Sequence, residues 1–267
     1  MTNTELKNLC KQVTGITKVV GKFILDERKK FTSASIEKKG HNDFVSYVDK
    51  SAEIKIVEYL KQIFPEAGFI TEEATENIRG KHFNWIIDPL DGTTNFIHGI
   101  PCFCISIALI HHEELVLGVV HELNLDECFY AWKDGGAFLN DLPISVSNVA
   151  QLSDSLIATG FPYHDYDKMI PYMKVFDWCM KNTHGLRRLG SAAADLAYVA
   201  CGRFESFYEY GLNSWDVAGG ALIVKEAGGT VTDFTNGTDF IFGAELIASN
   251  SLVHNEIQKV ISHEFNS

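Results

Sequence analysis

Long apolar runs are missing from this chain. No stretch approaches the ~20 residues that a membrane-spanning helix needs, which excludes an α-helical membrane protein. The opening residues, Met1-Thr-Asn-Thr-Glu-Leu-Lys7, lack a basic segment followed by an apolar one, so no secretory leader is expected. Cysteine is sparse: Cys10, Cys102, Cys104, Cys128, Cys179 and Cys201 are scattered over 267 residues. That argues against a disulfide framework and for reduced thiols in a soluble, cytoplasmic protein. Cys102 and Cys104 share a strand face, but no second cysteine pair completes a zinc site, so packing is their expected role. The ten histidines, His111-His112 among them, likewise show no ligand spacing with the carboxylates. Positive charge is short as well, with 23 Lys and Arg against 35 Asp and Glu, a net charge of −12. A nucleic-acid backbone is then a poor generic partner, no direct nucleic-acid binding is expected, and local neutralisation by metal cations is favoured.

What is present is an ordinary globular composition, 46% hydrophobic and 22% charged, without low-complexity tracts or internal repeats. A chain of this length buries roughly 75% of its unfolded surface, enough for one large domain. Helical spacing of Leu6, Cys10, Val13, Ile16, Val20, Phe23 and Ile24 predicts a long helix over about 5–30. A charged connector follows at 36–43, with Lys38, Lys39 and Asp43 near its tip, then a helix over 48–63 that stops before Pro65. Strands are expected over 102–110, 115–122 and 128–132, forming a largely antiparallel meander, with a turn around 135–141. Beyond it, 155–159 reads as a strand ending at Gly160-Phe161-Pro162. Helices are expected over 166–181, 191–200 and 217–227, and strands over 203–208, 231–234 and 246–249. Phe103, Phe129, Phe138 and Phe207 are expected in the core. The order of elements argues for layered sheets and helices rather than a simple doubly wound sheet. We expect a single domain over 1–267, in two intimately packed halves of about 1–150 and 151–267.

The most informative run is Trp85-Ile-Ile-Asp-Pro-Leu-Asp-Gly-Thr-Thr-Asn-Phe96. Trp85, Ile86 and Ile87 suit a fully buried strand, and Asp88 follows at its carboxyl end. Pro89 disfavours helical geometry at Asp88 and predicts a firm turn aiming Asp88 and Asp91 at one point. Gly92-Thr93-Thr94 would then open a helix whose free N–H groups suit an anion. Further oxygen ligands stand at expected element ends: Glu72 and Glu73 after Phe69-Ile-Thr71, and Asp216 in Ser-Trp-Asp-Val-Ala-Gly-Gly. Carboxylates without nearby His or Cys are hard ligands and favour Mg²⁺ over zinc.

Asp88-Pro-Leu-Asp-Gly-Thr-Thr-Asn-Phe96, with Trp215-Asp-Val-Ala-Gly-Gly220 and the trailing Glu226-Ala-Gly-Gly229, resembles the two signatures of the inositol monophosphatase family. This family belongs to the magnesium-dependent, lithium-sensitive phosphatases, and the similarity runs in order and spacing from the first helix to about Asn250. The resemblance implies an α+β fold, a layered αβαβα sandwich, usually dimeric, that hydrolyses phosphate monoesters without a phosphoenzyme. It implies two to three Mg²⁺ ions per site. Glu72, Asp88 and the Leu90 carbonyl would hold the first, and Asp88, Asp91 and Asp216 the second. Glu72 would help place a third through water, with Glu73 outside the ligand set. It further implies that Thr93 orients the attacking water, with Asp49 as its partner. The N–H groups of Gly92 and Thr93 would receive phosphate oxygens, and Lys38 would match the family's mobile-loop lysine. Substrate hydroxyls would meet Asp91, Glu209 and the segment Gly190-Ser191-Ala192.

The expected activity is hydrolysis of inositol 1-phosphate by a cytoplasmic homodimer, inhibited by Li⁺ if it follows the family. A fructose bisphosphatase, or another sugar or nucleotide phosphatase, is the rival within the same chemistry. A regulatory protein that contacts the transcription machinery is the rival from another class, because the segment from Arg187-Arg188 to Arg203 looks like the bacterial branch. The role of Arg187-Arg188 itself is left open between loop ordering, a dimer interface and a partner contact.

Overall fold

The computed structural model describes residues 1–30, 36–38, 44–162 and 166–265; for 36–38 and 44–46 it describes the backbone alone. In chain order the elements are α1 (Asn3–Arg28), β1 (Ile36–Lys38), β2 (Phe44–Ser46), α2 (Tyr47–Ile63), β3 (Gly68–Thr71), β4 (Phe83–Asp91), α3 (Thr93–His98), β5 (Cys104–His111), β6 (Glu114–Glu122), β7 (Glu127–Trp132), β8 (Ala137–Leu139) and β9 (Leu142–Ile144). There follow β10 (Leu156–Thr159), α4 (Met169–Asn182), β11 (Gly185–Arg187), α5 (Ala192–Ala200), β12 (Ser206–Tyr210), α6 (Ser214–Glu226), β13 (Thr230–Thr232), β14 (Glu245–Ser249) and α7 (His254–Phe265).

Seven strands, β3 to β9, form one sheet in sequential order, with β3 parallel to β4 and every later neighbour antiparallel. A second sheet runs β11-β10-β12-β14-β13. Alternation along the strands assigns the layers, because successive side chains leave opposite faces of a sheet. On β4, Trp85 and Ile87 join the core beneath α1 and α2, whereas Ile86 joins the core with α5 and α6. On β12, Phe207 faces that middle core and Tyr208 the core beneath α4 and α7. The result is α1α2, sheet, α5α6, sheet, α4α7, the five-layer αβαβα sandwich expected from the sequence.

A helix layer caught between two sheets has no solvent face, so α5 and α6 are apolar nearly all round and built from small residues. Gly118 of β6 lies against α6 so closely that a Cβ there would stand 2.5 Å from the Gly219 carbonyl oxygen. A Cβ on Gly220 would stand 2.5 Å from the Leu196 Cβ of α5. Glu226, at the end of α6, accepts the backbone N–H groups of Asp134, Gly135 and Gly136 at 2.9, 3.1 and 2.9 Å. The carboxylate of the second signature therefore fastens α6 to the turn after β7 and has a structural task.

Several expectations change. Pro89 does not end β4 in a turn: the strand runs through it to Asp91, with an irregularity in the pairing to β5 between Asp88 and Asp91. Buried Pro89 forgoes one ladder bond there, and irregular pairing is where a sheet tolerates that loss. Cys102 precedes β5 instead of sharing a strand with Cys104, and residues read as a turn after 135 include the short strands β8 and β9. The helix expected over 217–227 begins at Ser214, three residues early, because Asp216 closes a capping box with Asn213 there. Phe103, Phe129 and Phe207 are buried, while Phe138 is only half-buried, its ring stacked on Tyr130 and Trp132 with centroids 5.3 Å from each. Helix α7 was not expected at all, although Ile257 and Ile261 are buried along it and Val253 is buried just before it. Lys39 and Asp43 lie outside the described residues, and of Lys38 only the backbone, at the end of β1, is described. No helix of the described residues is long and apolar enough to cross a membrane.

Candidate active site

The carboxyl ends of β3 and β4, the loop into α3 and the amino ends of α5 and α6 surround a cavity of about 530 Å³. Its lining carries Glu72, Asp91, Asp195, Glu209 and Asp216, with Arg188 the one cation among the described lining residues. Asp88 sits beneath, 2% exposed. One carboxylate oxygen from each of Asp88, Asp91 and Asp216 lies within 4.8 Å of the others. Two chain segments far apart in sequence, the end of β4 and the start of α6, thus deliver three of the expected ligands to one point.

Each ligand is held by local geometry. Glu72 follows β3, and its N–H extends the pairing by donating to the Ile87 carbonyl at 3.2 Å. Behind it, the fully buried Glu53 of α2 accepts the N–H of Glu73 at 2.8 Å and the N–H and hydroxyl of Thr75 at 2.9 and 2.6 Å. Asp88 Oδ1 accepts the Leu90 N–H at 2.9 Å, which helps fix the side chain's rotamer. Asp91 Oδ2 accepts the Ser191 hydroxyl at 2.6 Å and the Ala193 N–H at 2.7 Å, so the start of α5 grips it. Asp216 Oδ2 accepts the Asn213 N–H at 2.7 Å, making it the cap of α6 and a cluster member at once. The capping role that competes with metal binding for any lone aspartate is real here, and one carboxylate serves both.

Gly92 has φ of +93°, and a Cβ there would stand 3.0 Å from the Cys102 carbonyl oxygen, so both backbone and space demand glycine. Thr93 begins the six-residue α3, and its hydroxyl donates to the Leu90 carbonyl oxygen at 3.0 Å. Asp49 is buried in the first turn of α2, near enough to Glu72 for its charge to act on that carboxyl. Asn95, at the end of the first signature, donates to the carbonyls of Cys102 and Leu189 at 2.8 Å each, stitching α3 to the segment before α5.

Electrostatics explains what such a site is for. Burial first, then the charges of Asp216 and Asp49, push the Glu72 carboxyl well above its usual range. Asp88 is pushed up by burial and then by Glu72, Asp91 and Asp216. Burial lifts Asp91 to about 6 against the opposing hydrogen bonds from Ser191 and Ala193. Burial and Asp216 lift Glu209 to about 8. Carboxyls crowded this way must bind protons or cations, and an all-oxygen set fits a hard divalent ion such as Mg²⁺. Asp88, Asp91 and Asp216 are the carboxylates whose oxygens converge closely enough to share such an ion.

Four features escaped the sequence reading. Arg188 lines the cavity, with its guanidinium over the Phe161 ring at 5.5 Å. Gly160 was read only as a strand stop, yet a Cβ on it would collide with the Glu209 carboxylate. Asp195 is 1% exposed at the cavity wall. Glu53 supports Glu72 from behind, and its one available signal was a carboxylate on the buried face of a helix. We expect Glu53→Ala to cost about 3 kcal/mol, since it strands three donors, and to weaken divalent-cation binding about tenfold or more. Urea denaturation and isothermal titration would check the two effects; an unchanged affinity would show that Glu72 is held by other contacts.

Comparison with known proteins covers almost the whole chain. The model of the Inositol monophosphatase family matches residues 5–266. A putative Nus factor SuhB from Neisseria meningitidis serogroup B is 40% identical over 243 residues, covering 91% of this chain and 93% of the relative. An inositol-1-monophosphatase from Mesorhizobium japonicum is 41% identical over 229 residues, covering 84% of each. Among solved structures, the extragenic suppressor protein suhB of Bartonella henselae superposes with a TM-score of 0.91 at 37% identity, over 95% of this chain and 98% of that one.

Proposed function

Because the chain belongs to the inositol monophosphatase family, we propose that it is a Mg²⁺-dependent phosphatase whose preferred substrate is inositol 1-phosphate. The observation that carries this reading is the meeting of Asp88, Asp91 and Asp216 at one side of a cavity whose other wall presents Glu209 and the start of α5. Divalent ions bound there, two to three by the family's pattern, would neutralise the phosphate and lower the pKa of the attacking water.

The chain's own groups divide the remaining work. Glu72, Asp88, Asp91 and Asp216 supply the negative charge that recruits the cations. The Gly92 and Thr93 N–H groups receive phosphate oxygens. With its proton given to Leu90, the Thr93 hydroxyl oxygen is left to accept a proton from water and orient it. Asp49 backs that region from α2, and Lys38, at the end of β1, is the counterpart of the family's loop lysine. Asp91, Glu209, Gly190, Ser191 and Ala192 meet the hydroxyls of the leaving alcohol. By the same family resemblance, the protein is a cytoplasmic homodimer.

Purified protein assayed with Mg²⁺ on inositol 1-phosphate, fructose 1,6-bisphosphate and adenosine 3′,5′-bisphosphate tests the substrate. We expect kcat/KM to favour inositol 1-phosphate by about tenfold or more; dominance of either bisphosphate sinks the assignment. A second reading rests on the Neisseria relative, whose name is that of a putative Nus factor. A contact with the transcription machinery would then coexist with catalysis, and would survive substitutions that remove the metal ligands.

A further inference from the structure

Asp195 sits in the first turn of α5, 1% exposed, and lines the cavity beside Glu209 and Asp91. Helix capping does not explain it. The Ala194 N–H goes to the Ser191 hydroxyl at 3.3 Å and the Ala193 N–H to Asp91 at 2.7 Å, so other side chains already take those free donors. Asp195 Oδ1 is buried without a hydrogen-bond partner. Around it, α5 contributes mostly alanines, and the nearby charges are the carboxyls of Glu209 and Asp91 together with the Arg188 guanidinium. A buried, unpaired carboxyl is destabilising, and α5 would be more stable with an apolar residue there. Groups kept at a cost to stability cluster where function uses them.

We propose that Asp195 is a specificity-determining residue, whose carboxyl accepts a hydrogen bond from a hydroxyl of the leaving alcohol that reaches past Glu209 into the cavity. This rests on the phosphatase reading above and deepens it. The substrate class it selects is a phosphate ester of a polyhydroxylated ring, with hydroxyl donors away from the ester oxygen. An ester whose alcohol carries no such donor leaves the Asp195 carboxyl unpaired and gains nothing from it. Sites built to bond a substrate hydroxyl discriminate strongly against analogues that lack it.

The test compares wild type, Asp195→Leu and Asp195→Asn on inositol 1-phosphate and on p-nitrophenyl phosphate, whose leaving group has no hydroxyl donor beyond the ester oxygen. In the Leu variant, kcat/KM for inositol 1-phosphate should fall about 10- to 100-fold, mainly through KM. The rate on p-nitrophenyl phosphate should stay within about threefold. Asn keeps an acceptor and should recover most of the loss. The melting temperature of the Leu variant should rise, which a merely structural role for Asp195 would not give. Equal losses on both esters, no loss on either, or a lowered melting temperature would overturn the proposal. If the Leu variant does not fold, Asp195→Ala takes its place on the same two esters, with the same selective loss on inositol 1-phosphate expected. If wild type releases no phosphate from either ester, the phosphatase reading itself fails, and this inference with it.

Discussion

Asp88→Asn should reduce Mg²⁺-dependent phosphate release at least about a thousandfold. Asp88 is the buried member of the cluster, and the substitution removes its charge while keeping its shape. The amide oxygen of Asn can still accept the Leu90 N–H, so the local backbone should hold. Asp216→Asn runs in parallel, because an amide oxygen can still accept the Asn213 N–H that opens α6. Both variants should fold, and both should melt higher than wild type without metal, because one of several mutually repelling carboxylates is gone. Activity that falls together with raised metal-free stability identifies charge, and not architecture, as what was lost. Full activity in either variant would refute the site. The contact with transcription machinery, if present, should persist in both.

Titration of metal-free protein supplies the second large effect. Asp91 at about 6 and Glu209 at about 8 both stand above ordinary carboxyl values. Between the unfolded value and the raised folded one, the folded state binds more protons than the unfolded state. Stability therefore falls as pH rises, first through about 6 for Asp91 and then through about 8 for Glu209. Mg²⁺ answers the same excess of negative charge, so it should stabilise most where the protons have left. At a hundred times its Kd, a ligand adds about 2.7 kcal/mol, which for a chain of this size raises the melting temperature by about 5–10 °C. Thermal melts with and without Mg²⁺ at pH 5.5 and pH 8 measure both parts. We expect a clearly smaller increment at pH 5.5; equal increments, or metal-free stability that rises with pH, would contradict the account.

Much of this was legible in the sequence because the signals were local. The apolar run Trp85, Ile86 and Ile87 is a property of a few adjacent residues, and so is the helical spacing from Leu6 to Ile24. Asp88, Asp91 and Asp216 were also named beforehand, and the structure brings them together. What stayed hidden depends on partners distant in sequence. Pro89 looked like a strand terminator, because nothing local announces an irregular pairing with β5. Gly160 looked like punctuation, because its close neighbour is Glu209, across the parallel pairing of β10 and β12. Asp195 passed as one polar residue on an alanine-rich helix; its meaning lies in the cavity beside it and in the caps that others supply. Helix α7 buries only two apolar residues, Ile257 and Ile261, too few to announce a helix before their neighbours are known.

The glycines of α6 set a length. With no side chain at Gly118, the sheet lets α6 rest on it at the Gly219 backbone, and Gly220 lets α5 close in. Asp216 rides on the first turn of that same helix, so its separation from Asp88 on the sheet is fixed by how thick the glycine contact is. The contact thus works as a gauge block between helix and sheet. A methyl group added at Gly118 would press on the Gly219 carbonyl oxygen and push α6, with Asp216 on its first turn, away from the sheet that carries Asp88.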